Sequence, residues 1–67
     1  MKAQKIKKEE IFTGAEFVSN DPEDGIMKIE IRENKVYGIC SAFDFERDTV
    51  ESAISQMEKW NFRFIGS

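Results

Sequence analysis

The sequence predicts one small α+β domain over residues 1–67: an antiparallel sheet with one amphipathic helix on one face, in the order strand-strand-strand-helix-strand. Residues 48–60 have the apolar spacing of a helix, residues 26–32 alternate as a strand does, and residues 19–25 are rich in turn formers. A short helix is marginal alone in water, so its apolar stripe is expected to pack on the sheet.

The first strand is expected at residues 11–18, after a lead-in over residues 1–10 that is either a flexible basic arm or a short helical segment. Neither face of this strand is cleanly polar, so the strand is expected to be covered on both sides. Gly14 in the middle of the run indicates a β-bulge or a close approach by another chain.

Residues 19–25 are predicted to form a turn. Asp21-Pro22 presets one backbone angle, and Asp24-Gly25 supplies a residue that accepts positive φ. The clustered carboxylates also suggest a calcium loop, but Pro22 falls at a ligand position and no bidentate glutamate follows at the EF-hand distance. The turn is therefore the favoured interpretation.

The second and third strands, at residues 26–32 and 36–43, are predicted to form a hairpin. A three-residue loop, with Asn34 in the left-handed conformation, would bury one set of side chains: Met27, Ile29, Ile31, Tyr37, Ile39 and, as a further candidate, Phe43. The small back face would then hold Val36, Gly38, Cys40 and Ala42. A two-residue loop would instead reverse the faces of the third strand.

The helix at residues 48–60 is predicted to bury a stripe made of Val50, Ala53, Ile54, Met57 and Trp60. Asp48 and Glu51 have the spacing of a capping box, with Asp44 as an alternative N-cap, so residues 43–47 are interpreted as a crossing segment. Asn61 is expected to end the helix in a left-handed conformation. A last strand follows at residues 62–65, with Phe62 and Phe64 on one face.

The composition excludes several kinds of active site. With no histidine and one cysteine, the chain cannot assemble a Ser–His or Cys–His pair, and a structural zinc site is disfavoured. The four glycines are too scattered for a phosphate-binding loop. Cys40 is interpreted as a small buried residue and not as a reactive thiol. We therefore expect no catalytic residue, no cofactor and no metal, and the chain is predicted not to be an enzyme.

The charge is distributed unevenly. Residues 1–10 hold four lysines (Lys2, Lys5, Lys7 and Lys8) and two glutamates, whereas residues 11–67 hold six Lys/Arg and eleven Asp/Glu. An acidic body does not favour nucleic acid, whose phosphates are bound by several Lys/Arg contacts. The chain also lacks an apolar run long enough for a signal peptide or a membrane span, which predicts a soluble cytoplasmic protein.

Two carboxylate-rich segments suggest an acidic surface for a basic protein partner. The residues assigned to partner binding are Asp21, Glu23, Asp24, Asp44 and Glu46, with Asp48 and Glu51 in the same segments. Ordinary solubilising charge is the alternative explanation. We expect a non-enzymatic interaction module, such as a regulator or inhibitor of a larger bacterial or phage-targeted protein. A nucleic-acid-binding domain that uses the Lys arm and exposed aromatics is the second hypothesis, and a small-ligand-binding homo-oligomer the third.

A homodimer is also expected. A core this small, an apolar back surface at Val36, Cys40 and Ala42, and an unprotected sheet edge at residues 11–18 or 62–65 all favour self-association.

Overall fold

Five antiparallel strands and one α-helix form the fold, as seen in a computed structural model that describes residues 5–66. The strands are β1 (Glu16–Val18), β2 (Ile26–Arg32), β3 (Lys35–Ile39), β4 (Asp44–Arg47) and β5 (Arg63–Gly66), and the helix α1 (Val50–Lys59) lies between β4 and β5 in the chain. The order across the sheet is β4-β3-β2-β1-β5. The predicted α+β class is confirmed, with one strand more than expected.

The additional strand is β4, which occupies the residues interpreted as a crossing segment. A second hairpin forms here because the N–H of Cys40 donates to the carbonyl oxygen of Phe43 at 2.9 Å across the Ser41-Ala42 turn. Phe45 then points into the core between exposed Asp44 and Glu46. Asp44 is therefore a strand residue and does not cap the helix.

The β2–β3 hairpin has a two-residue turn, so the expected three-residue loop is wrong. Glu33 and Asn34 have φ values of 49° and 67°, as both central residues of a type I′ turn require. Lys35 consequently belongs to β3 and pairs with Arg32. This register reverses the faces of β3, as the sequence allowed for a two-residue loop.

The reversal exchanges the buried and exposed residues of β3. Val36 is 2% exposed and Gly38 is buried, whereas Ile39 is 47% exposed and Tyr37 is half-buried on the opposite face. Tyr37 and Ile39 are therefore not in the core as expected, and Val36 is not part of a back surface. Met27 and Ile29 are buried as predicted, but Ile31, near the end of β2, is exposed.

The core lies between one face of the sheet and α1. Its buried residues come from β1 to β4, from α1 and from segments that adjoin these elements: Ile6, Ile11, Ala15, Phe17, Met27, Ile29, Val36, Phe45, Ala53, Met57 and Phe62. The helix stripe is narrower than predicted, since Ala53 and Met57 are fully buried while Val50 and Ile54 are half-buried. Within the described part of the chain, no helix has the length and apolar character needed to cross a bilayer.

The predicted N-cap of α1 is wrong, whereas the predicted end of α1 at Asn61 is confirmed. Thr49 is the N-cap, and its Oγ1 accepts a hydrogen bond from the N–H of Ser52 at 3.1 Å, so Asp48 does not cap the helix. At the other end, Asn61 adopts the left-handed conformation predicted for it, with φ 64°. Its N–H donates to Glu58, and the N–H of Phe62 donates to Met57, which is the Schellman pattern of helix termination.

The β1 region is shorter and more central than expected. The N–H of Gly14 donates to the carbonyl oxygen of Ile29, whose own N–H donates to that of Ala15, so two residues face one. This is a β-bulge, one of the two alternatives that Gly14 suggested. β1 lies between β2 and β5, so Glu16–Val18 is not at an edge of the sheet as expected. Glu16 and Val18 are only half-buried, so this strand is covered fully on one side.

The lead-in contacts the helix within its described part. Ile6 is buried, and its N–H donates to Oε2 of Glu58 at 2.9 Å. A 3₁₀ turn follows at Lys8–Glu10, and Lys8 Nζ lies 2.9 Å from Oε2 of Glu51. Of the two alternatives for the lead-in, the helical one is seen only at Lys8–Glu10, while Lys2 of the basic arm lies outside the described residues.

Candidate interaction surface

The side of the sheet away from the core carries exposed and half-buried side chains on β1 to β4 and no buried one, and we call it the open face. Strand alternation places on it the side chains that do not point into the core. On four of the five strands, β1 to β4, these side chains are Glu16, Val18, Ile26, Lys28, Glu30, Arg32, Lys35, Tyr37, Ile39, Asp44 and Glu46.

The centre of the open face is apolar. Ile26 pairs with Val18, and Ile39 lies diagonally across the β2–β3 pair from Ile26, since its direct partner is Lys28. Ile26 and Ile39 are 49% and 47% exposed. Beside them is a shallow depression of about 550 Å³, bordered by Lys28 and Glu30 as well. Adjacent exposed isoleucines of this kind are typical of interaction sites.

Most charges of the open face are paired with one another. Lys28 lies 3.7 Å from Glu16, its direct cross-strand partner, and Arg32 lies 2.9 Å from Glu30 on the same strand. The hydrogen bond from Arg32 lowers the pKa of Glu30. These pairs are exposed, so they contribute little to stability, but they leave the middle of the open face with almost no net charge.

Lys35 pairs with two further carboxylates, Glu46 and Asp48. Its Nζ lies 2.9 Å from Oε2 of Glu46 and 3.8 Å from Oδ1 of Asp48, and the hydrogen bond to Glu46 raises the pKa of Lys35. Glu51 is similarly occupied, because the hydrogen bond from Lys8 lowers its pKa. Glu46, Asp48 and Glu51 therefore have local partners.

Asp44 is different. It lies directly opposite Ile39 in the sheet, so its side chain borders the apolar centre. Among residues 5–66 its carboxylate has neither an ion-pair nor a hydrogen-bond partner. An uncompensated carboxylate beside exposed isoleucines is the least locally satisfied charge on this surface.

The acidic turn between β1 and β2 is built partly from its own carboxylates. Asp21 Oδ1 accepts from the N–H of Glu23 at 3.0 Å and caps a 3₁₀ turn at Pro22–Asp24, and Asp24 Oδ2 accepts from the hydroxyl of Ser19 at 2.7 Å. The predicted turn is confirmed. No group of three or more His, Cys, Asp or Glu side chains within residues 5–66 is arranged to hold a metal ion.

The structure joins part of the predicted acidic surface and separates the rest. The carbonyl oxygen of Asp24 accepts a hydrogen bond from the N–H of Ser41 at 3.0 Å. This bond holds the acidic turn against the β3–β4 turn, and β4 begins shortly after that turn, at Asp44. Glu23 and Asp44 thus lie at the same end of the sheet. Glu46 lies farther along β4, and Glu51 belongs to α1.

The other candidates occupy separate places. Cys40 is half-buried against the core, and Ala42 lies exposed in a turn, so they do not form an apolar back surface with Val36. The exposed aromatics are dispersed, with Phe12 beside Phe64 and Trp60 beside Phe43.

Sequence reasoning missed Ile39 as a surface residue, because the hairpin register decides which side of the sheet the residues of β3 face. Ile26 follows from the alternation of β2, since its neighbour Met27 points into the core. The signal available was Glu33-Asn34, a pair that a two-residue turn accepts when both residues take positive φ. Comparison of the chain with protein-family models, with curated proteins and with solved structures finds no match. The function is therefore inferred from this surface.

Proposed function

We propose that this protein is a non-enzymatic interaction module that binds a basic protein partner through the open face of its sheet. The observation that supports this best is Asp44, an unpaired carboxylate directly beside the exposed side chain of Ile39. Protein interfaces commonly combine an apolar centre, where water is excluded, with a polar rim. A small regulator or inhibitor of a larger protein is the role that we propose for a module of this size.

The apolar centre and the acidic border contribute in different ways. Burial of Ile26 and Ile39 by a partner would supply most of the affinity, because apolar area removed from water is the main favourable term in association. Asp44 and Glu23 would speed the encounter with a basic surface and disfavour acidic partners. Glu46 is a weaker candidate because Lys35 already neutralises it.

Affinity capture from a bacterial lysate with matched variants tests the proposal. The wild-type protein is compared with a Glu23→Lys/Asp44→Lys double variant and with Ile39→Lys. Glu9→Lys makes one of the same charge changes at an exposed site on the 3₁₀ turn, away from the sheet, and serves as the control.

We expect a basic protein that the wild type and Glu9→Lys capture equally and that both surface variants fail to retain. Melting temperatures within a few degrees of wild type would show that the variants are folded. Equal capture by all four proteins would contradict the proposal. If the wild type captures nucleic acid that the surface variants do not retain, and captures no protein that they lose, the nucleic-acid hypothesis would be favoured.

We also propose that the protein self-associates, now through the edge strand β5. The sheet ends at β4 and β5, and Ile65 on β5 is 48% exposed, so two copies that pair through their β5 strands would bury Ile65. Sedimentation equilibrium at high micromolar concentration should give about twice the monomer mass of 7.8 kDa. An Ile65→Lys variant should be monomeric, and a monomeric wild type would exclude the dimer.

A further inference from the structure

We infer that the partner of the open face adds an extended segment, with basic and apolar side chains in alternation, to the free edge of β4. This inference rests on the proposed function and specifies how the partner is bound. β4 is the first strand of the sheet order β4-β3-β2-β1-β5, so one side of it has no neighbouring strand within residues 5–66.

The backbone of β4 presents unpaired groups at this edge. Cys40 and Phe43 form a hydrogen-bonded pair, and such pairs alternate with non-hydrogen-bonded pairs along an antiparallel ladder. In the β3–β4 register, Phe45 and Arg47 are therefore hydrogen-bonded to β3, whereas Asp44 and Glu46 direct their N–H and C=O groups away from it. These are the groups that a new strand would use.

One of these groups is already occupied. The guanidinium of Arg47 donates from Nη1 to the carbonyl oxygen of Glu46 at 2.8 Å, which agrees with an outward direction of that carbonyl. The N–H and C=O of Asp44 and the N–H of Glu46 remain for a partner. A short, charged edge of this kind resists indiscriminate pairing, so only a segment with matching side chains would add to it.

On the open face, a strand beside β4 would place alternate side chains next to Asp44 and Glu46. Basic side chains satisfy this position, because Asp44 has no cation among the described residues and Glu46 has only the exposed Lys35. Charge complementarity therefore predicts basic side chains at every second position of the partner segment, on the open face.

On the helix side, the remaining side chains of the new strand would point toward an incompletely covered aromatic group. Trp60 is 38% exposed, and its ring centroid lies 4.8 Å from that of Phe43 and 5.4 Å from that of Phe45. Apolar side chains would cover this group. In strand addition, main-chain hydrogen bonds provide affinity and alternate side chains provide specificity, as this arrangement requires.

The probe for the test is a blocked peptide of roughly six residues, the usual length of a strand, in which lysine and valine alternate. Peptides of the same composition with the lysines and valines in two blocks, and with every amide N-methylated, are the controls. Binding is followed with isotope-labelled protein by NMR at low salt. Hydrogen exchange of the Asp44 and Glu46 amides and the indole N–H signal of Trp60 are the readouts.

We expect the alternating peptide to bind at least tenfold more tightly than either control, to slow exchange at both amides and to shift the Trp60 signal. Asp44→Asn, which keeps the backbone N–H, should lower the affinity about two- to fivefold, the range of an exposed ion pair. Equal binding of the N-methylated peptide would overturn strand addition, as would an alternating peptide that does not bind.

The same experiment separates this inference from the proposed function. If the peptide binds without protection of Asp44 and Glu46 but shifts signals of Ile26 and Ile39, strand addition is wrong while the open face is still the binding surface. If Ile39→Lys and Glu23→Lys/Asp44→Lys capture as much basic protein as the wild type does, the proposed function itself is wrong.

Discussion

The two faces of the sheet are made by the same strands but differ in what they contact. On the helix side Met27 and Ile29 are buried, whereas on the open side their neighbour Ile26 is about half exposed and Lys28 is paired with Glu16. The first face therefore determines stability, because removal of apolar surface from water is the main driving force of folding. The second face can change with little effect on the fold and is available for a partner.

The difference arises because residues 5–66 contain one helix long enough to cover a sheet face. α1 buries Ala53 and Met57 against one side, and Ile6 of the lead-in and Ile11 just after it belong to the same core. The other side is left with cross-strand ion pairs and an apolar centre. Matched substitutions on the two faces should therefore differ in their effect on the free energy of unfolding.

The largest expected difference is between Met57→Ala and Ile39→Ala. Met57 is fully buried, so its truncation should lower the free energy of unfolding by about 2–5 kcal/mol, through lost transfer energy and the remaining cavity. Ile39 is about half exposed, so Ile39→Ala should cost less than about 1 kcal/mol. Urea denaturation of the two variants measures both values.

Ile54→Ala gives an intermediate reference. The sequence predicts Ile54 in the buried stripe, but it is only half-buried at the edge of the core, so its truncation should cost less than that of Met57. Equal destabilisation by Met57→Ala and Ile39→Ala would mean that the faces are misassigned.

Gly38→Ala tests the face assignment of β3. A methyl group at this position would meet two ring carbons of Phe45 at 2.8 Å and Sδ of Met27 at 3.0 Å, so we expect destabilisation by about 1–3 kcal/mol from overpacking. If Gly38 faced the open side, the substitution would be neutral or stabilising, since alanine restricts the unfolded chain. Adding Phe45→Leu to Gly38→Ala should cost less than the sum of the two single changes.

Thr49→Ala tests how the covering helix begins. The Thr49 hydroxyl accepts from the N–H of Ser52, so its loss should cost about 1 kcal/mol, the usual value for an N-cap. Asp48→Ala should change stability by less than about 0.5 kcal/mol, as surface changes generally do. Thermal melts of the two variants measure this difference. A larger loss of stability for Asp48→Ala than for Thr49→Ala would mean that Asp48 is the N-cap.

The smallest expected effect is a pH dependence from the pair that joins the lead-in to α1. The hydrogen bond from Lys8 lowers the pKa of Glu51 in the folded state. A lowered pKa stabilises the fold above the unfolded value of about 4.3, and this contribution is lost as pH falls through the folded-state pKa. Glu51→Gln should therefore make stability less sensitive to acid below about pH 4.3.

Glu9→Gln is the matched control for the acid titration, because Glu9 has no ion-pair partner among residues 5–66. The wild type should melt at a higher temperature than Glu51→Gln near neutral pH, and the two melting temperatures should converge as the pH falls below about 4.3, whereas the profile of Glu9→Gln should run parallel to that of the wild type. Identical acid profiles of wild type and Glu51→Gln would show that the contact between Lys8 and Glu51 does not stabilise the fold.

The sequence by itself determined the features that depend on local backbone chemistry. The turn at residues 19–25, the alternation of β2, the position of α1 and its left-handed end at Asn61 follow from residue type and spacing within a few neighbours. The same reasoning predicted one small α+β fold, because a helix and several strands with one apolar side each must bury those sides together.

Only the tertiary structure decided which side of β3 faces the helix, and with it the location of the candidate site. A strand has a side-chain period of two, so a loop shorter by one residue exchanges every side chain of the following strand. Glu33-Asn34 forms such a loop, and it moves Ile39 to the surface beside Asp44. The Glu33-Asn34 pair is compatible with the two-residue turn but does not by itself decide between the registers, because the buried apolar contacts that separate their energies lie between residues far apart in the chain.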